Sequence, residues 1–75
     1  MGTKRFLTSI IEREGDGYVA HCPELDIASQ GDNVEEARAN LAEALELFFE
    51  TADPTEIGDR LKGEVFITQL EVTVG

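Results

Sequence analysis

The chain has no tryptophan, and histidine, cysteine, tyrosine and methionine occur once each. A lone cysteine excludes an intrachain disulfide, and one Cys with one His cannot assemble a Cys/His zinc cluster. No apolar run approaches the ~20 residues of a membrane span, and the opening "MGTKRFLTSI" lacks the apolar centre of a signal peptide. Basic residues are scarce: six Lys and Arg stand against 16 Asp and Glu, for a net charge of −10. Those six (Lys4, Arg5, Arg13, Arg38, Arg60 and Lys62) are scattered along the chain. Such a field repels phosphates, so autonomous nucleic-acid binding is not expected. With 75 residues there is room for a single domain, 1–75. A domain this small buries only roughly 60% of its unfolded surface and gains from an external support. Disulfide and metal being excluded, oligomerisation is the support that remains. A soluble, cytoplasmic protein is expected.

The residues that are present alternate or repeat in readable ways. "KRFLTSIIER" is β-branched and apolar and stops at the turn signal "EGDG". Apolar residues occupy both of its alternating sets, Phe6 and Ile10 on one, Leu7 and Ile11 on the other. That predicts a central strand, or one whose second face is covered by another subunit. "YVAHC" reads as the return strand of a hairpin, with Tyr18, Ala20 and Cys22 on one face and Val19 and His21 on the other. Pro23 has no N–H to donate, so pairing is expected to end there. "LDIASQ" is a shorter third strand closing at Gly31.

A helix is predicted over 34–52. Asn33 is a suitable N-cap with Glu36 three residues on, and Val34, Ala37, Leu41, Ala44, Leu45, Phe48 and Ala52 form one apolar stripe. Pro54 ends the run. "PTEIGDRLKGE" reads as a polar connector with at most a short helical turn. "VFITQLEVTV" then alternates cleanly, with Phe66, Thr68, Leu70, Val72 and Val74 on one face, and predicts a fourth strand. The order is β-β-β-α-β.

"HCPEL" invites a chemical reading that its geometry discourages. Adjacent strand residues point to opposite faces, so His21 and Cys22 cannot readily share a metal, nor can the histidine serve as base to the thiol. Between strand and helix Gly31 stands alone, so no Gly-rich phosphate cradle is formed. No catalytic constellation and no cofactor are expected.

One stretch carries a resemblance. Gly17 and Tyr18 open the second strand, Cys22-Pro23-Glu24-Leu25 close it, Ser29-Gln30-Gly31-Asp32 follow, and "NVEEARANLAEALELFFE" opens on its cap. Together these pieces, about half the chain, resemble the N-terminal domain of HicB-type antitoxins, the partners of HicA-type toxins. The chain departs from that pattern at Asp26-Ile27-Ala28, where the family usually carries Pro-Gly-Cys or similar. The resemblance implies an α+β, truncated ribonuclease-H-like fold: an antiparallel meander, one helix packed on the sheet, and a fourth strand. Family members usually add a C-terminal DNA-binding domain, which this chain, ending at Gly75, is expected to lack.

The function implied is that of an antitoxin-like protein, not an enzyme, which neutralises a basic, HicA-like, mRNA-cleaving toxin protein. A homo-oligomer, dimer or tetramer, is expected alongside. The partner-binding candidates are Glu43, Glu46 and Glu50, which share one arc of the helix, and Asp26, where the chain departs from the family pattern. Two alternatives stand beside this: a stand-alone homo-oligomeric binding protein, and a small ribonuclease-H-like enzyme.

Overall fold

A computed structural model describes residues 5–75, so Lys4, at the start of the expected first strand, lies outside the described residues. Three strands, β1 (Ile10–Glu14), β2 (Gly17–Cys22) and β3 (Ile27–Gly31), are followed by two helices, α1 (Val34–Thr51) and α2 (Pro54–Leu61). The strands form an antiparallel meander in the order β1-β2-β3. The architecture is α+β.

Local chemistry explains each connection. Gly15 and Asp16 join β1 to β2, with Glu14 opposite Gly17. Gly15 has φ 60° while Asp16 keeps a negative φ, the pattern of a type II′ hairpin turn, which favours glycine at its first position. Between β2 and β3 the chain turns through Pro23-Glu24-Leu25-Asp26. Asp26 adopts φ 54°, a left-handed conformation that Asp tolerates better than most residues. Leu25 is buried beneath the sheet rather than starting the strand, so β3 begins at Ile27, two residues later than the pattern predicts.

Extending the β1–β2 register past Ile10↔His21 sets Thr8 opposite Pro23. Proline cannot donate there, and the ladder ends as expected. The Thr8 N–H instead donates to the Glu24 carboxylate, 3.1 Å from each oxygen, and the Thr8 hydroxyl donates at 2.6 Å. Residues 5–9 therefore approach the sheet through one side chain rather than through a ladder. The expected first strand is shortened to its second half.

The first strand is not central. β2 is the middle strand, and β1 is an edge. Phe6 is fully exposed, and Ile10 and Ile11 are half-buried. Two apolar sets therefore do not imply two flanking strands within one chain.

α1 matches its predicted span to within a residue. The Asn33 side chain accepts from the Glu36 N–H at 2.7 Å, and the Glu36 carboxylate reaches back to the Asp32 N–H. The helix lies on the sheet face that carries Ala20 and Cys22. Ala20, Cys22, Leu25, Ala37 and Leu41 are the fully buried core, with Ile11, Tyr18, Ile27, Leu45, Phe48 and Phe49 packed around them. Gly31 lets α1 come close, because a Cβ there would sit 2.5 Å from the Ala37 nitrogen.

The connector is more ordered than the sequence reading expects, a helix of eight residues rather than a short turn. Asp53 caps it by accepting from the Glu56 N–H at 2.9 Å, and Pro54 takes the first helical position, where its missing N–H costs nothing. The Arg60 guanidinium donates to the Leu25 carbonyl at 2.6 Å and lies 5.2 Å from the Phe48 ring centre. These contacts fasten α2 beside the β2–β3 turn.

The predicted fourth strand is not formed. Residues 64–75 belong to no strand or helix, and every one is exposed. A strand exists only where a neighbouring edge completes its hydrogen bonds, and α2 hands the chain on without bringing 65–74 to either edge. No helix of the described residues is long and apolar enough to cross a membrane.

Candidate interaction surfaces

Glu43, Glu46 and Glu50 project from the middle of α1, spaced i, i+3 and i+7. At 3.6 residues per turn they fall within an arc of about 60°, along roughly 10 Å of helix. All three are exposed, on the side of α1 turned away from Ala37, Leu41 and Phe48. None makes an ion pair among the described residues, where the pairs are His21–Asp26, Arg60–Glu56 and Lys62–Asp59. Like charges at this spacing weaken a helix slightly, so the arc contributes nothing to folding.

Asp26 stands elsewhere. Its carboxylate lies 3.1 Å from His21 Nε2, and His21 points to the sheet face opposite the one covered by α1. The acidic arc and Asp26 therefore occupy opposite sides of the molecule. The four candidates form two surfaces, not one.

Cys22 and His21 are separated as strand alternation requires. The thiol is completely buried and donates to Glu24 at 3.4 Å. Burial is the largest influence and pushes the Cys22 thiol up; the Leu25 backbone opposes it, the bond to the Glu24 side chain and its charge add to the rise, and the Glu24 backbone opposes it least. Such a thiol is a poor nucleophile. Glu24, which the sequence reading used only as part of a turn motif, ties three elements together. Partial burial works against its charged form, but the bonds from the Thr8 hydroxyl and the backbone outweigh this and hold the carboxyl below its ordinary value. A carboxylate directly after a ladder-ending proline was the available signal. Arg60 left none, since its acceptor lies 35 residues away.

A shallow groove runs between residues 5–9 and α1. Phe6, Leu7, Leu41, Leu45 and Phe49 line it, together with the charged Arg5, Arg38 and Glu46. Among the described residues no group of three or more His, Cys, Asp and Glu is placed to hold a metal ion.

Comparison with known proteins finds one partial likeness. Over 46 residues the chain is 50% identical to the UPF0150 protein ssr1765 of Synechocystis sp., a match covering 59% of this chain and 58% of that protein. The match thus spans less than two thirds of that relative's length. No family profile matches the chain, and no solved structure matches it.

Proposed function

We propose that this chain is a HicB-like, antitoxin-type binding module that acts in the cytoplasm and covers a basic, HicA-like toxin. It does so as a homo-oligomer and performs no chemistry of its own. The observation that carries this reading is the acidic arc of Glu43, Glu46 and Glu50, exposed and making no ion pair among the described residues, on a chain of net charge −10. A basic ribonuclease must present cationic side chains to RNA phosphates, and an acidic helix face competes for them and accelerates encounter. The partial likeness to a UPF0150 protein supports the reading, since UPF0150 proteins are small and HicB-like. The three strands and α1 accord with a truncated ribonuclease-H-like arrangement, whose fourth strand residues 65–74 would supply.

The test is association with a small basic protein encoded beside this gene. Changing Glu43, Glu46 and Glu50 together to Gln is expected to slow association severalfold and flatten its salt dependence, with the melting temperature held or slightly raised. An unchanged rate and salt slope would remove the arc from the interface.

The second reading, a stand-alone homo-oligomeric binding protein, is favoured by a different observation: the exposed apolar segment 65–74, which suits self-association and requires no toxin. Absence of any basic protein co-purifying from the native host would select it. A ribonuclease-H-like enzyme has no such support. In β1 the carboxylates are Glu12 and Glu14, exposed towards the hairpin end.

A further inference from the structure

Two stretches of this chain share a deficiency. Residues 65–74 alternate as a strand does, yet Phe66, Leu70, Val72 and Val74 are 80%, 84%, 65% and 86% exposed, and Ile67 on the other face is 54% exposed. No side-chain or tertiary backbone hydrogen bond engages 64–75 among the described residues. At the opposite end, residues 5–9 and β1 present an edge that pairs with nothing on its outer side. Successive N–H groups alternate sides along an extended chain. With the Thr8 N–H turned to Glu24 on the β2 side, those of Leu7 and Ser9 turn to the open side.

We propose that residues 65–74 are a strand donated to a second copy of this chain, paired along the open 5–14 edge with apolar side chains seated in the groove between residues 5–9 and α1. The exchange is reciprocal, giving a twofold dimer. It deepens the homo-oligomeric part of the reading above and owes nothing to the toxin.

Three observations select this donor, this edge and this partner. The lengths match, since 65–74 and 5–14 are both ten residues, about 33 Å when extended. The other edge of the sheet is obstructed by α1 at the end of β3. Asn40 of α1 donates to the Gln30 carbonyl of β3 at 2.8 Å, and Gly31 is pressed against Ala37. Finally, the chain's own path leads away. α2 is fastened to Leu25 and Phe48 through Arg60, Leu61 is the last residue packed on the core, and the chain extends over 51 Å. Its radius of gyration of 14.6 Å compares with about 11 Å for a compact chain of this length. A foreign protein could add to the same edge, but only a second copy meets both deficiencies at once, each chain covering the other's exposed segment and edge.

The experiment uses the full chain alone. Light scattering during gel filtration at micromolar concentration is expected to give twice the 8.2 kDa chain mass, or a doubling of that dimer. Hydrogen exchange is expected to show slow amides in 65–74 and in the 5–9 stretch. Leu70→Asp, at a side chain 84% exposed in the single chain, is expected to halve the mass and to free both stretches together, while the far-ultraviolet spectrum of sheet and α1 persists. Val72→Pro, which removes a donor from the strand, is expected to do the same. A wild-type chain that runs at 8.2 kDa with protected 65–74 would show the segment folding back on its own copy and overturn the proposal. A monomer with free amides would overturn it as well. A dimer that survives Leu70→Asp with 65–74 exchanging freely would also do so, while leaving self-association by another surface intact.

Discussion

Gly31→Ala tests the contact on which the sheet–helix packing depends. An ideal Cβ on Gly31 would lie 2.5 Å from the Ala37 nitrogen, 2.8 Å from the Glu36 carbonyl carbon and 3.0 Å from the Ala37 Cα. Carbon atoms pack favourably at about 3.5–4.0 Å, so the gap must widen by roughly 1 Å. All three obstructing atoms are backbone, in the first turn of α1, and none can rotate aside as a side chain would. Either β3 or the helix must shift as a body. That shift would loosen Ala37 and Leu41 against Ala20 and stretch the 2.8 Å bond from Asn40 to the Gln30 carbonyl. Overpacking of a well-filled site costs about 1–3 kcal/mol, and obstruction by backbone places this site at the upper end. The domain as a whole is worth roughly 4–11 kcal/mol by the usual scaling with length. For a chain of this size each kcal/mol moves the melting temperature by about 4–8 °C, so a fall of about 10–20 °C is expected. Gly58→Ala supplies the control. Nothing lies within 4 Å of a Cβ there, and the site is inside α2, where alanine is favoured over glycine by about 0.5–1 kcal/mol. Thermal melts followed by circular dichroism should therefore drop for Gly31→Ala and hold or rise for Gly58→Ala. A Gly31→Ala protein that melts with the wild type would refute the close approach of α1 to β3.

Thr8→Val removes the hydroxyl bond to Glu24 and should cost about 1 kcal/mol near neutral pH, the value of an ordinary bond rather than the larger one of a bond to a charged group, because the carboxylate is partly solvated. Because folding lowers the Glu24 pKa, its contribution is complete above the ordinary carboxylate value of 4.5 and is lost as pH falls through the folded value. Urea midpoints of wild type and variant should therefore differ at pH 7 and converge as the pH is taken down below 4.5; a gap that widens in acid would contradict this. Cys22→Ala should leave a small cavity, cost about 1–2 kcal/mol in the same assay and leave the chain's association state unchanged. A change in that state would give the buried thiol a role beyond packing.

What was legible in the sequence was whatever depends on neighbours within a turn or two. The Asn33 cap, the stripe from Ala37 to Phe48 and the stop at Pro54 are local, and α1 follows them almost residue for residue. The Gly15 turn and the alternation that separates Cys22 from His21 are local as well. Even α2 was within reach, since Asp53-Pro54 with Glu56 is a helix start; its polar composition hid it. Long-range partners were not legible. The wheel positions of Glu43, Glu46 and Glu50 follow from spacing, but their remoteness from Asp26 depends on which sheet face α1 covers. Glu24 reaches Thr8 and Arg60 reaches Leu25 only because the fold brings them together across 16 and 35 residues. Strand formation shows the divide most sharply. Alternation in 65–74 marks a segment able to pair, since side-chain period is a property of the segment itself. Whether it pairs depends on an edge offering N–H and C=O groups in register, and that edge is assembled by tertiary or quaternary structure alone.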